Sequence, residues 1–261
     1  MPYVQRVVLA GQTREVKKMY TGRIHTKGAP RAENHSQTTE AQHKANERLA
    51  EEKLRWLLNA NFTYKDLHVV LHYYDKPRDL EQAEEDKRKF LRYLRQHCKR
   101  KSIPWKFVAC TESRHTPHHH IILPAISMDS LLETWEKVVG VNGGNVSVKP
   151  LDRRGNHAKL AHYLIKETSQ TVKQYREMGK RYKRFTSARN MIRPEPKYTI
   201  VQANAWTKEP RRRKGWAFWQ DDNGTSIRQG IHDLTGYPWQ EYTEIWLGAG
   251  PPPGAGRRIK S

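Results

Sequence analysis

The chain has 261 residues, enough for one sizeable domain with appendages or for two small ones. Lys and Arg number 48 against 27 Asp and Glu, a formal charge of +21. That excess points to a polyanionic partner, nucleic acid first, because each neutralised phosphate releases a counterion. Two cysteines, Cys98 and Cys110, exclude a disulfide framework and a four-thiolate zinc site, and read as buried thiols. No segment approaches the ~20 apolar residues of a membrane span. The N-terminal apolar run Val7–Ala10 is too short for a signal peptide, so a soluble, cytoplasmic protein is expected.

Residues 1–35 are basic and punctuated by Gly and Pro, which predicts irregular chain with one short strand at Tyr3–Leu9. From Ser36 to about Asn59 apolar residues recur at three-to-four spacing, a helix that Ser36 or Thr39 would cap. Asp66–Asp75 is β-branched and aromatic, a strand broken by Pro77, and a charged helix follows over Leu80–Lys101. Trp105–Glu112 and His118–Leu123 read as a hairpin turning at Arg114–Pro117. A helix at Met128–Val139, capped by Ser127 or Asp129, leads to the turn Asn142–Asn145 and a strand at Val146–Pro150. After the polar loop Asp152–Asn156, one helix is expected from His157 to Met178. The order β-α-β-β-α-β-α predicts an α+β domain: a central antiparallel sheet with helices segregated to one side. The expected division is an N-terminal extension with a helix (1–60), a central domain (61–178), a basic, Trp-rich C-terminal region (179–247) and a disordered tail (248–261).

The chemistry concentrates in Glu112–Leu123. Side chains alternate along a strand, so His118 and His120 share one face and His119 takes the other. Across the hairpin, Glu112 becomes a cross-strand neighbour of His118 or His120. Two imidazoles and one carboxylate form an open metal site with positions left for water or a phosphate oxygen. The alternative pair, His115 with His119, requires His115 to leave the turn that Pro117 imposes. Downstream, Tyr163 and Lys166 sit three apart on one helical face, a phenol placed beside an ammonium. A metal site with a placed tyrosine points to phosphoryl transfer through a covalent intermediate.

In this order, the His68–Tyr74 strand, the His118/His120 pair and Tyr163–Lys166 resemble the HUH endonucleases. The likeness is closest to the rolling-circle replication initiators of plasmids and filamentous phages, and covers roughly residues 40–195. Its fold would be the RRM- or ferredoxin-like sheet of that superfamily. His119 stands where the family usually has a bulky apolar residue. Lys159 and Glu167 occupy the positions one turn from Tyr163, so the arrangement has a single tyrosine. The resemblance implies Mg2+ or Mn2+ held by His118, His120 and Glu112, acting on a scissile phosphate of single-stranded DNA at a replication origin. Tyr163 would attack, leaving a 5′-phosphotyrosine and a free 3′-hydroxyl, with Lys166 supplying positive charge near the oxyanion. Glu167 or Glu112 would activate water to end the cycle.

Beyond the helix, Gln170–Arg193 carries Lys173, Arg176, Lys180, Arg181, Lys183, Arg184, Arg189 and Arg193 against a single acid, Glu177. Tyr175, Tyr182 and Phe185 are interleaved, the cation-and-platform pattern of single-strand binding. Lys208–Lys214 is a second basic run beside several Trp residues. No Gly-x-x-x-x-Gly-Lys-Ser/Thr occurs, so a host helicase would open the template and a host polymerase would extend it. Two other readings fit part of the pattern: a non-catalytic RRM-like binding module, and a purely hydrolytic nuclease with a structural Tyr163.

Overall fold

The computed structural model describes residues 2–21, 39–74, 78–114, 116–202, 204–232 and 236–254. The N-terminus forms a hairpin of β1 (Tyr3–Ala10) and β2 (Thr13–Tyr20), with Ala10 opposite Thr13. Gly11, at φ 58°, occupies the first position of the two-residue turn, where positive φ is required. The sequence predicted only the first of these strands. Residues 22–38, with the Ser36 cap, lie outside the described residues. Helix α1 (Glu40–Asn61) starts directly after Thr39, the second of the two expected caps. Thr39 caps it reciprocally: its Oγ1 accepts from Gln42 N (3.3 Å) and its N donates to Gln42 Oε1 (2.8 Å).

Next come β3 (Leu67–Tyr73), α2 (Leu80–Arg100), β4 (Val108–Glu112), β5 (His118–Leu123), α3 (Met128–Val139), β6 (Gly144–Pro150), α4 (Ala158–Glu167), α5 (Ser169–Glu177) and β7 (Thr186–Ser187). Asp79 caps α2 by accepting from Gln82 N at 2.8 Å, and Ser127 caps α3. Asp75 and Pro77, the predicted strand end and breaker, lie outside the described residues. The five strands form an antiparallel sheet in the order β6-β3-β5-β4-β7. β7 was not expected; it adds to the free edge of β4 from within the basic segment.

The helices do not gather on one side. α2 and α3 cover one face, where Phe90, Leu94, Leu131 and Trp135 pack on Val69, Leu71, Ile121 and Leu123. α1 and α4 cover the other, where Leu54, Leu58, Leu164 and Ile165 meet Val108, Cys110 and Ile122. The reason is in β5: its Ile-Ile-Leu run is apolar on both faces, so both need cover. Cys98 and Cys110 are buried free thiols.

The helix expected from His157 to Met178 is broken at Thr168. There the hydroxyl donates back to Ile165 O (2.7 Å) and ends α4, while Thr168 also serves as the residue preceding α5. Arg184 Nη1 covers the exposed carbonyl, 3.3 Å from both Ile165 O and Thr168 Oγ1.

This second compact unit runs from Glu47 to Ile192. The first combines the N-terminal hairpin and the start of α1 with the described residues from Arg193 to Gly254. There β8 (Lys197–Ile200), β9 (Trp216–Phe218), β10 (Ile227–Ile231) and β11 (Pro238–Trp246) join β1 and β2 in a six-stranded antiparallel sheet. The extension and the Trp-rich region, expected as separate segments, thus share one sheet: β11 pairs β2 from Gln240↔Lys18 to Ile245↔Thr13. Lys18 is buried in it, its Nζ donating to Gln240 Oε1 (2.7 Å) and Ala205 O (2.8 Å). Of the tail expected to be disordered, residues 248–254 are described, with Pro252 buried, and the remainder lies outside the described residues. No helix among the described residues is long and apolar enough to cross a membrane.

Candidate active site

β5 sorts its three histidines by face. His119 points toward α2 and α3 and is wholly buried, with Nε2 3.0 Å from Tyr73 Oη and Nδ1 3.0 Å from Thr111 Oγ1. His118 and His120 point the other way. In the register Glu112 stands opposite His118 and Cys110 opposite His120. The Glu112 side chain reaches diagonally, bringing its Oε2 to 3.1 Å from His120 Nε2. The other nitrogen of His120, Nδ1, lies 3.2 Å from Nε2 of His68 on β3. His118 instead rests edge-on against His72, ring centroids 4.7 Å apart. His115 lies outside the described residues.

α4 buries Ala161, Leu164 and Ile165, which leaves Tyr163 on the flank beside the histidine face. Its ring stands edge-on to His120 (5.5 Å between centroids) and to His68 (6.4 Å), and the residue is 41 % exposed. Lys166 is exposed one turn on. Glu167, at the end of the helix, stands beside Glu112, and Arg114 bridges the two carboxylates, 3.5 Å from Glu167 and 4.0 Å from Glu112. Burial pushes the Glu167 carboxyl up, and Glu112 pushes it further. Burial and the same two carboxylates also raise the Tyr163 phenol, against the pull of Arg114. The local field thus holds Tyr163 protonated, and ionising its hydroxyl requires positive charge beyond what Arg114 supplies.

Sequence reasoning missed His68, His72 and Arg114 as parts of this site. His68 and His72 share the phase of Val70 on β3, so strand alternation alone could have placed them beside His120 and His118.

The basic segment is divided in its use. Lys173, Arg176, Lys180, Arg181, Lys183 and Arg189 are exposed, Lys180 in contact with Glu81. Arg184 is committed to the α4–α5 junction and to Glu47. The interleaved aromatics turn inward: Tyr175 and Tyr182 stack on each other at 4.6 Å, Tyr182 donates to Glu84 (2.9 Å), and Phe185 packs on the core.

Three imidazoles kept neutral in the fold have a measurable consequence. Burial first, then neighbouring imidazoles (with Lys149 for His68 and Lys87 for His119), lowers His68 and His120 to about 4 and His119 well below its ordinary value. The unfolded chain protonates near 6.5. Stability is therefore full above that pH and is lost as pH falls from about 6.5 toward 4, by about 1 kcal/mol per unit for each histidine. Urea unfolding at pH 7 and pH 5 should give a clearly lower midpoint at pH 5. Equal midpoints would mean that the imidazoles are not held neutral.

Among the described residues, no three His, Cys, Asp or Glu side chains converge closely enough to hold a metal ion. The donor chemistry nevertheless suits one. The spacing of Glu112 Oε2 and His120 Nε2 equals the ~3 Å edge between adjacent ligands of a six-coordinate ion with ~2.1 Å bonds. Beside them, Glu112 pushes the Glu167 carboxyl up, a repulsion that a cation would relieve. Residues 61–172, from the end of α1 into α5, match the family described as replication-associated protein ORF2/G2P. The matched stretch contains the histidine, carboxylate and tyrosine cluster, while the basic residues from Lys173 onward lie beyond it. No curated protein and no solved structure matches the chain.

Proposed function

We propose that the chain is an initiator of rolling-circle replication that nicks and rejoins single-stranded DNA at an origin through Tyr163. The likeness of residues 61–172 to replication-associated proteins supports the role in replication. The observation that carries the chemistry is Tyr163 edge-on to His120, itself held between Glu112 and His68. Tyr163 Oη gives up its proton as it attacks the scissile phosphorus; the Tyr–O–P bond forms as the P–O3′ bond breaks, and the departing 3′-oxygen takes up a proton, so that none is gained or lost overall. The 3′-hydroxyl then primes a polymerase. Rejoining reverses these steps, because the phosphotyrosine keeps the energy of the phosphodiester.

His120, Glu112 and His118 would hold Mg2+ or Mn2+, His118 turning from His72 to do so. Bound there, the ion supplies Lewis acidity at the phosphate. Lys166 adds positive charge on the exposed side of the phenol. Glu167 or Glu112 would activate water at termination; Glu167→Gln should slow release of covalently bound DNA, and normal release would exclude Glu167 from that role.

His68 fixes which nitrogen of His120 carries its proton, as partners of ligating histidines do. His68→Ala should weaken Mn2+ binding, read by electron paramagnetic resonance, by about 10–100-fold, with partial recovery in His68→Gln. Unchanged binding in the alanine variant would show that His68 does not orient His120.

The test of the proposal is a denaturing gel of the protein incubated with single-stranded DNA from the region flanking its gene, with Mn2+ or with chelator. A protein–DNA adduct that forms only with metal is expected. Cleavage without an adduct would favour a hydrolytic nuclease. Tight binding without cleavage on every strand would favour a binding module.

A further inference from the structure

On the sheet face away from Tyr163, α2 carries a second feature that the nicking chemistry does not use. Its charges are sorted along its length. Glu81, Glu84, Glu85 and Asp86 fill the first turns, and Lys87, Arg88, Lys89, Arg92, Arg95, Lys99 and Arg100 follow. The helix dipole favours cations in the last turn only, which accounts for Lys99 and Arg100 but not for Arg92 and Arg95.

Arg92, Arg95, Gln96 and Lys99 are all exposed and recur at three-to-four spacing on one side of the helix. Together with Ile103 and Trp105 they line a groove of about 600 Å3. Elsewhere on the helix Lys87 and Lys89 pair with acids, whereas no ion pair ties Arg92, Arg95 or Lys99 to a carboxylate among the described residues. Three like charges thus stand together without local neutralisation, at a mutual electrostatic cost that a bound polyanion would relieve.

The groove also offers a flat apolar surface. Trp105 is partly buried, its ring 5.4 Å from Phe107, and its carbonyl accepts from Asn190 Nδ2 at 2.9 Å. The indole is therefore anchored from behind while it lines the groove. Cations that track a backbone beside an anchored aromatic ring are what a single strand requires: phosphates meet the guanidinium groups and a base stacks on the indole. A duplex would use the cations and leave the indole idle.

We propose that this groove is an exosite for single-stranded DNA, separate from the Tyr163 site. Trp105 precedes Glu112 by seven residues, about 23 Å of extended chain, and α2 and α4 cover opposite faces of the sheet. A strand held at Tyr163 and at Trp105 together must wrap the edge of the domain, so the exosite would grip DNA flanking the nicked position.

The exosite does not depend on the nicking reaction, and its test is run in chelator, where no cleavage is expected. Anisotropy of a labelled strand of roughly 30 nucleotides, about twice the largest common single-site footprint, would be followed across a salt series. The full-length triple variant R92Q/R95Q/K99Q would be compared with R48Q/K53Q/K137Q, which removes three exposed charges outside the groove. The groove variant should bind about tenfold more weakly, with a salt slope smaller by about 2, at ~0.7 for each phosphate that is no longer neutralised. The control variant should stay within about twofold of wild type.

A strand carrying iodouracil should also crosslink to Trp105, which tests the stacking of a base without altering the fold. Equal affinities and slopes in the two variants, or crosslinks that avoid Trp105, would overturn the exosite. Displacement of the strand from Trp105 by a mononucleotide would instead make the groove a free-nucleotide site and would equally overturn it. Retained adduct formation at Tyr163 in the groove variant, on a short origin strand with Mn2+, would show that any loss belongs to the exosite alone.

Discussion

Tyr163→Phe is expected to abolish covalent attachment of DNA while leaving the fold and single-strand binding intact. The ring makes edge contacts with His120 and His68 that phenylalanine keeps, and the residue is exposed enough that its hydroxyl costs nothing to remove. What disappears is the phenol oxygen that flanks the histidine face. Loss of a nucleophile commonly lowers turnover by about 10⁴-fold or more. The adduct band should vanish on a denaturing gel, while anisotropy in chelator reports the same affinity as wild type. An adduct that survives in the variant would place the nucleophile elsewhere. Lys166→Ala should act differently: if Lys166 serves the phenol as proposed, its loss leaves the tyrosine in place, so the adduct should form slowly rather than not at all.

Glu84→Ala should destabilise the protein by about 3–5 kcal/mol, the usual consequence of leaving one member of a buried ion pair alone. Lys87 is 3 % exposed, with its ammonium 2.6 Å from Glu84 and 2.9 Å from Thr111. Burial pushes the Glu84 carboxyl up, but Lys87, Thr111 and Tyr182 outweigh it and hold the group below its ordinary range. Removing the carboxylate strands the ammonium under α2. The double variant Glu84→Leu with Lys87→Met removes both charges and should recover most of the loss. Urea unfolding of the single and double variants measures this directly. If the single variant costs less than about 1 kcal/mol, the pair does not behave as a buried ion pair.

The pair lies under the strands that form the site. Thr111 touches Glu84, Lys87 and His119, and His119 touches Tyr73, whose hydroxyl reaches Asp86. This polar chain pins β4, β5 and β3 from behind, while the opposite face of the same strands carries Glu112, His120 and His68. Glu84→Ala should therefore loosen the histidine face as well as the core.

The sequence made some of this architecture readable because the signals were local. Alternation on β5 separated His119 from His118 and His120, and the turn placed Glu112 across from them. The caps at Thr39 and Ser127 followed from short polar residues before apolar periodicity. The remainder depended on contacts distant in sequence. β2 reads Thr-Arg-Glu-Val-Lys-Lys-Met-Tyr, and its buried positions include Glu15 on one face and Lys18 on the other, so no hydrophobic alternation marks it as a strand. Its partner β11 lies more than two hundred residues on, and Lys18 is satisfied only once Gln240 arrives. The break at Thr168 was masked because apolar periodicity runs through it; a back-bonded hydroxyl and Arg184 end the helix. Tyr175 and Tyr182 looked like platforms for bases because nothing local revealed that they stack on each other.

The triplet His118–His119–His120 also has a genetic consequence. If one histidine were lost and the apolar end of β5 stayed in place, Pro117 would move into the position of His118. If the turn stayed in place instead, an isoleucine would take the position of His120 and the whole apolar run would change faces. Either outcome leaves one imidazole where there were two. A gene built on this triplet should therefore tolerate synonymous change freely and length change not at all.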